Sequence, residues 1–228
     1  MGIAGRQRLA QRLPPGPLPH RVLVTGLILL GVTLVMIAVL VWLGIVWHAT
    51  PSKYFRERRA GTYYSGALLI AAGAVAVGVA SRTEGPSSRR FWHVAAAGFV
   101  YLALDDVLTI HEEIDRGVHA LLGWDPGHWL TDHLDDAIVA VYGIVAVVWT
   151  YWHRTHVLRL RWTTLLLAAA FAGFTAMTAL DFAGWSPTVE ESLKLIAETF
   201  IVIALLAALH DPALRETPSQ ASPACRSS

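Results

Sequence analysis

Tyr101-Leu-Ala-Leu-Asp105-Asp106-Val-Leu-Thr109-Ile-His111-Glu112-Glu113-Ile-Asp115 is the stretch that decides what kind of chain this is. It closes an apolar segment that starts near residue 91, so the whole run has the ~20 residues needed to cross the hydrocarbon core of a bilayer. Two adjacent aspartates nevertheless lie inside it, and three more acids follow. A carboxylate in hydrocarbon costs several kcal/mol unless a cation, another polar group or trapped water partners it. The stretch therefore reads as the polar end of a membrane helix. Asp105 lies about 10 Å below a boundary near Glu112, at 1.5 Å per residue. On an ideal helix Asp105, Thr109 and Glu112 share a face, Asp106 and Glu113 flank it, and His111 points elsewhere.

The rest of the chain has the same character. Hydrophobic residues make up 54% of the 228, charged residues 15%, and the mean hydropathy is +0.48. That balance suits a polytopic membrane protein rather than a soluble domain. Apolar stretches at roughly 22–48, 63–81, 91–114, 133–153, 162–182 and 188–209 predict an all-α bundle of about six transmembrane helices. The first lacks a small-residue cleavage site and is too long for a signal peptide, so it reads as a retained helix. Residues 1–21 form a basic, proline-containing tail, 22–210 the transmembrane domain, and 211–228 a Ser- and Pro-rich disordered tail. The single cysteine, Cys225, excludes an internal disulfide and a cysteine metal site. A net charge of +1 gives no electrostatic basis for binding nucleic acid.

Arginine and lysine in the short connections set an orientation. With the N-terminus in the cytoplasm, Arg6, Arg8, Arg12, Arg21, Arg82, Arg89, Arg90, Arg154, Arg159, Arg161, Arg215 and Arg226 fall inside, against Lys53, Arg56, Arg58, Arg59 and Arg116 outside. N-in and C-in is the expectation. The basic run at residues 53–59 breaks the rule and reads as an exposed interfacial segment or a contact for lipid head groups or a partner.

In that topology the acids crowd the outer half. Asp105, Asp106, Glu112, Glu113, Asp115, Asp125, Asp132, Asp135, Asp136, Asp181, Glu190, Glu191 and Glu198 account for thirteen of seventeen. Several have ordinary explanations. Asp132 and Asp135 suit a helix start. Ser186-Pro187 fits an N-cap with proline at the first helical position, and Thr188 to Glu191 alternatively fits a capping box. Asp181 could cap the turn that follows it. Asp136 sits a turn inside its helix, and Glu198 lies seven residues after Glu191, on the same stripe and deeper. Lys194 is spaced to pair with either glutamate, which makes an internal Glu–Lys–Glu bridge the main structural explanation.

The residues left over define a candidate metal site: Asp105, Asp106, Glu112, Asp136, Glu191 and Glu198, with His111 and His133 as imidazoles and Lys194 as charge partner. Oxygen donors suit divalent cations, and an added imidazole would favour Zn, Mn or Fe. A metal ion, or protonation, would offset repulsion among these carboxylates.

The segment from Leu102 through Asp105-Asp106 to His111-Glu112, together with Glu190-Glu191-Ser-Leu-Lys194, resembles a family of uncharacterised bacterial multi-pass membrane proteins. Its pattern is Asp-Glu, five residues, then His-Glu, with a Glu-Glu start to a late helix. Asp106 here replaces a glutamate, and Lys194 stands where another acid is expected. The resemblance implies a bacterial inner (plasma) membrane and brings no activity. A fainter likeness to alkaline ceramidase-like hydrolases and to CAAX-type intramembrane proteases lacks their histidine motifs, and His153 and His156 lie at the opposite end.

Three functions fit: a metal-dependent membrane enzyme acting on a lipid-like substrate, a cation or proton transport element, and a non-catalytic subunit of a membrane complex with a salt-bridged core. Membrane lipids and other membrane subunits are the expected partners.

Overall fold

The computed structural model describes residues 17–55, 58–123 and 134–214, apart from the side chains of Asp135, Asp136 and Phe182. These residues form eight α-helices and two short 3-10 turns, with no strand among them. The helices are α1 (His20–His48), α2 (Ala60–Arg82), α3 (Pro86–Leu108), α4 (Ile110–Leu122), α5 (Leu134–Trp152), α6 (Arg154–Leu158), α7 (Arg161–Phe182) and α8 (Pro187–His210). Five of them, α1, α2, α3, α7 and α8, are long and apolar enough to cross a membrane, as in a multi-pass membrane protein. In α5 the apolar part is the shorter Ala137–Trp152. The tails expected at 1–21 and 211–228 lie almost wholly outside the described residues.

Helix α8 is the axis of the bundle. Leu195, Ala197, Val202, Ala204, Leu205, Ala207 and Ala208 are all buried along it. Its neighbours are laid down by specific contacts. Ser65, near the start of α2, meets Glu198 midway along α8, and Arg82 at the end of α2 donates to the Leu209 carbonyl near the end of α8, so the two helices run parallel. Gly26 of α1 faces Ile203 and Thr33 bonds Thr199, so α1 runs antiparallel to α8. Gly173 lies against Ala197, which sets α7 antiparallel to α8 as well. On the other side of α2, a Cβ at Gly66 would come within 2.9 Å of Val107, and one at Gly73 within 3.2 Å of Val100. Small residues thus let α2 and α3 approach closely, as membrane helices do where no hydrophobic drive separates interface from lipid. Helix α5 touches α3 through Tyr101 and Tyr142.

The outer faces are apolar. Leu27, Ile28 and Val35 on α1, Ile144 and Val145 on α5, and Phe171 on α7 are more than half exposed. Each forfeits roughly 1.5–3 kcal/mol by facing water, and none does so by facing lipid.

One boundary departs from the sequence reading. The apolar segment expected at 91–114 is not one helix. It breaks at Thr109, whose φ of 56° and ψ of 45° are left-handed. That conformation is an outlier for a β-branched residue. Two contacts hold it: the Thr109 hydroxyl accepts a bond from Arg58 at 3.1 Å, and the Thr109 N–H reaches the Asp105 carbonyl. Helix α4 then leaves with Ile110, Ile114, Val118 and Leu121 along one stripe and charged residues opposite, the pattern of a helix lying in an interface.

Candidate functional site

Because α2, α3 and α8 meet with small residues between them, one end of the bundle brings polar side chains from all three together. The close approach of Gly66 to Val107 sets Ser65 and Asp106, their sequence neighbours, beside the same turn of α8. Lys194 projects from that turn. Its Nζ donates to Asp106 Oδ1 at 2.5 Å and lies 3.7 Å from Glu191 Oε2. One turn deeper, Glu198 is 2% exposed, and its Oε1 accepts a bond from Ser65 Oγ at 2.7 Å. Glu191, Lys194 and Asp106 form a partly accessible mouth, and Glu198 with Ser65 forms the floor.

Beside the floor, three hydroxyls are chained. Thr199 donates to the Leu195 carbonyl, so Thr33 must donate to Thr199 and Tyr64 to Thr33, at 2.8 and 2.9 Å. Beyond this level the interior is apolar. Ala72, Ala76, Val79, Leu205 and Ala208 fill it without a polar atom of their side chains.

The accounting of charge at the site is uneven. Three carboxylates share one ammonium. Asp106 Oδ2 and Glu198 Oε2 are both buried and have no hydrogen-bond partner among the described residues. A buried carboxylate oxygen left without a donor is costly.

The remaining expected residues separate from this group. Asp105 is buried but turns away. Its Oδ1 accepts the His111 backbone N–H at 3.0 Å, and its Oδ2 pairs with His111 Nδ1 at 2.9 Å. The sequence reading set His111 on another face from Asp105; the Thr109 break swings it round, and the Asp105 carboxylate serves as the cap for the free N–H groups that open α4. Glu112 lies 3.5 Å from Arg116 on α4, and Arg116 also pairs with Glu113 at 2.9 Å. Asp136 belongs to α5, with its side chain outside the described residues, and His133 lies outside them too. Among the described residues no three His, Asp or Glu side chains are grouped as a ready-made metal cage.

At the start of α8, Ser186 is the N-cap with Pro187 at the first position, but its side chain makes no capping bond. The capping box is absent: Thr188 Oγ1 is buried without a partner and Glu191 turns to Lys194. Of the internal Glu–Lys–Glu bridge the Glu191–Lys194 arm forms, while in place of Glu198 the ammonium crosses helices to Asp106. Sequence reasoning missed Ser65, Tyr64, Thr33 and Thr199. In apolar runs such hydroxyls usually bond their own helix backbone, and only their shared depth marks them as a set. It also missed Arg58, whose bond to Thr109 gives part of the anomalous basic run a structural task.

No curated protein and no solved structure matches the chain. Residues 26–209 match the model of the family described as Domain of unknown function (DUF8692), and the chain belongs to that family.

Proposed function

We propose that this is an integral membrane protein whose carboxylate pocket between α2, α3 and α8 binds a divalent metal ion from the outer face. Asp106, Glu191 and Glu198 supply the charge, and Lys194 is the resident counter-charge with which the ion competes. The observation that carries the reading is the pair of buried, donorless oxygens, Asp106 Oδ2 and Glu198 Oε2, flanking a single ammonium. A salt bridge built only for packing has no use for two surplus carboxylates. Among the described residues the acceptors at the pocket are all oxygen, because His111 is committed to Asp105. That favours Mn, Mg or Ca over Zn. An ion held by carboxylates at an open mouth keeps coordination positions for water and can lower its pKa, the feature a hydrolytic enzyme acting on lipids needs.

The reading of a salt-bridged, non-catalytic subunit draws support from the Lys194 bond to Asp106. Conduction draws none among the described residues, where Ala72, Ala76, Val79 and Leu205 fill the level next beyond Thr199.

Calorimetric titration of purified protein with Mn2+, Mg2+ and Ca2+ separates the two readings. One ion should bind per chain, Glu198→Gln should abolish binding, and Lys194→Met should tighten it by about tenfold or more, since one like charge leaves the site. Absence of binding in both the wild type and Lys194→Met sinks the metal reading and leaves the packing one.

A further inference from the structure

The opposite end of the bundle has the reverse imbalance: donors without acceptors. Arg159, in the link between α6 and α7, has its Nε and Nη2 buried and unpartnered among the described residues. These two nitrogens form one edge of the guanidinium, the fork that grips a phosphate or carboxylate through two parallel bonds. Three further donors at the same level also have no partner there: Trp92 Nε1, Ser88 Oγ and Thr163 Oγ1, on residues 1%, 4% and 0% exposed. Ser88 and Trp92 are one turn apart on α3, and Thr163 opens α7. Phe91 and Trp92 of α3 and Val157 and Leu160 beside Arg159 belong to one buried apolar core, so these donors sit on elements of the same core. His156 links them again, with its Nε2 3.3 Å from Ser87 Oγ and its ring 6.2 Å from that of Phe91. Neither Nε nor Nη2 of Arg159 has a hydrogen-bonded carboxylate among the described residues.

We propose that this basic end holds a phosphate group, gripped by the Nε–Nη2 edge of Arg159 and supported by the Trp92 indole and the Ser88 and Thr163 hydroxyls. Buried N–H groups without acceptors are unfavourable, and a phosphate supplies both a counter-charge and the acceptors that these donors lack. The site stands at the end of the bundle where Arg89, Arg90, Arg154 and Arg161 also gather, so the local field favours an anion. Phosphate reaches that depth as the headgroup of an anionic phospholipid or as a free ion, and the two are separable.

Native mass spectrometry of the full-length protein in detergent, titrated with phosphatidylglycerol, with the matching diacylglycerol and with inorganic phosphate, tests the assignment. The expected result is binding of phosphatidylglycerol at least about tenfold tighter than diacylglycerol, with the preference lost in Arg159→Gln. Competition by inorganic phosphate identifies a free ion as the natural source, and its absence identifies the lipid. Thr163→Val keeps the shape of the side chain and removes the hydroxyl, so it serves where Arg159→Gln fails to fold, with an expected weakening of about three- to tenfold. Equal affinity for the two lipids together with no binding of inorganic phosphate, or phosphate and lipid binding unchanged in the variants that fold, overturns the assignment.

Discussion

Removing the Lys194 ammonium and its Asp106 partner together should cost less than the sum of the two single losses. Both side chains are mostly buried, and Lys194 is the only cation bonded to Asp106 among the described residues. Lys194→Met leaves Asp106, Glu191 and Glu198 facing one another without a resident positive charge, and breaking a buried pair in this way costs about 3–5 kcal/mol. Asp106→Asn removes one negative charge but keeps the shape and an acceptor oxygen for Lys194. Its cost is about 1–3 kcal/mol. In the double variant the surplus of carboxylates falls by one as the ammonium goes. The two costs should then fail to add by at least about 1 kcal/mol. Thermal and denaturant unfolding in detergent, with metal chelated, measures all four corners of this cycle. Additive losses would refute the reasoning, because they would mean that Lys194 and Asp106 are energetically independent despite their contact.

Other consequences are as direct. At Thr109 the ordinary helix ranking should invert. Thr109→Ala keeps the left-handed strain and loses the Arg58 bond, whereas Thr109→Gly loses the bond but relieves about 1 kcal/mol of strain, so thermal melts should place the glycine variant above the alanine one. Gly66→Leu should separate α2 from α3 at a cost of about 1–3 kcal/mol and weaken metal binding in the same titration, because Ser65 and Asp106 move with the helices; unchanged metal affinity would detach the site from that interface. Burial, then the neighbouring Arg159 charge and His153, hold the His156 imidazole below its ordinary value. The unfolded chain therefore takes up its proton first as pH falls, so stability should decline as pH drops through about 6.5 towards the lowered folded value. Melting curves across that range should show a smaller decline in His156→Gln than in the wild type.

Much of this architecture was legible in the residues because hydrocarbon imposes long apolar runs. The described limits of α1, α2, α7 and α8 fall within a few residues of the apolar segments that announced them. The grouping of Asp106, Glu191, Lys194 and Glu198 was legible for a related reason: charges at that depth have to find each other. Other features were hidden because they depend on a single backbone dihedral or on contacts between helices. Nothing in Val-Leu-Thr109-Ile announces a left-handed threonine, so Asp105, Thr109 and Glu112 were placed on a face that the break dissolves, with His111 turned away from it. Lys194 has two glutamates at helical spacing in its own sequence, yet its bond crosses to α3, since the close contact at Gly66 carries Asp106 nearer than the local geometry brings Glu198. Ser65 and Thr33 are silent in a hydropathy plot, where a lone hydroxyl barely interrupts an apolar run.

Diffraction data collected at the manganese absorption edge from protein crystallised with Mn2+ locate the ion. One anomalous peak is expected between Asp106 and Glu198, at about 2–2.6 Å from carboxylate oxygens of both, with the Lys194 ammonium moved off Asp106. A pocket without a peak, with Lys194 still bridging Asp106 and Glu191, would contradict the metal reading.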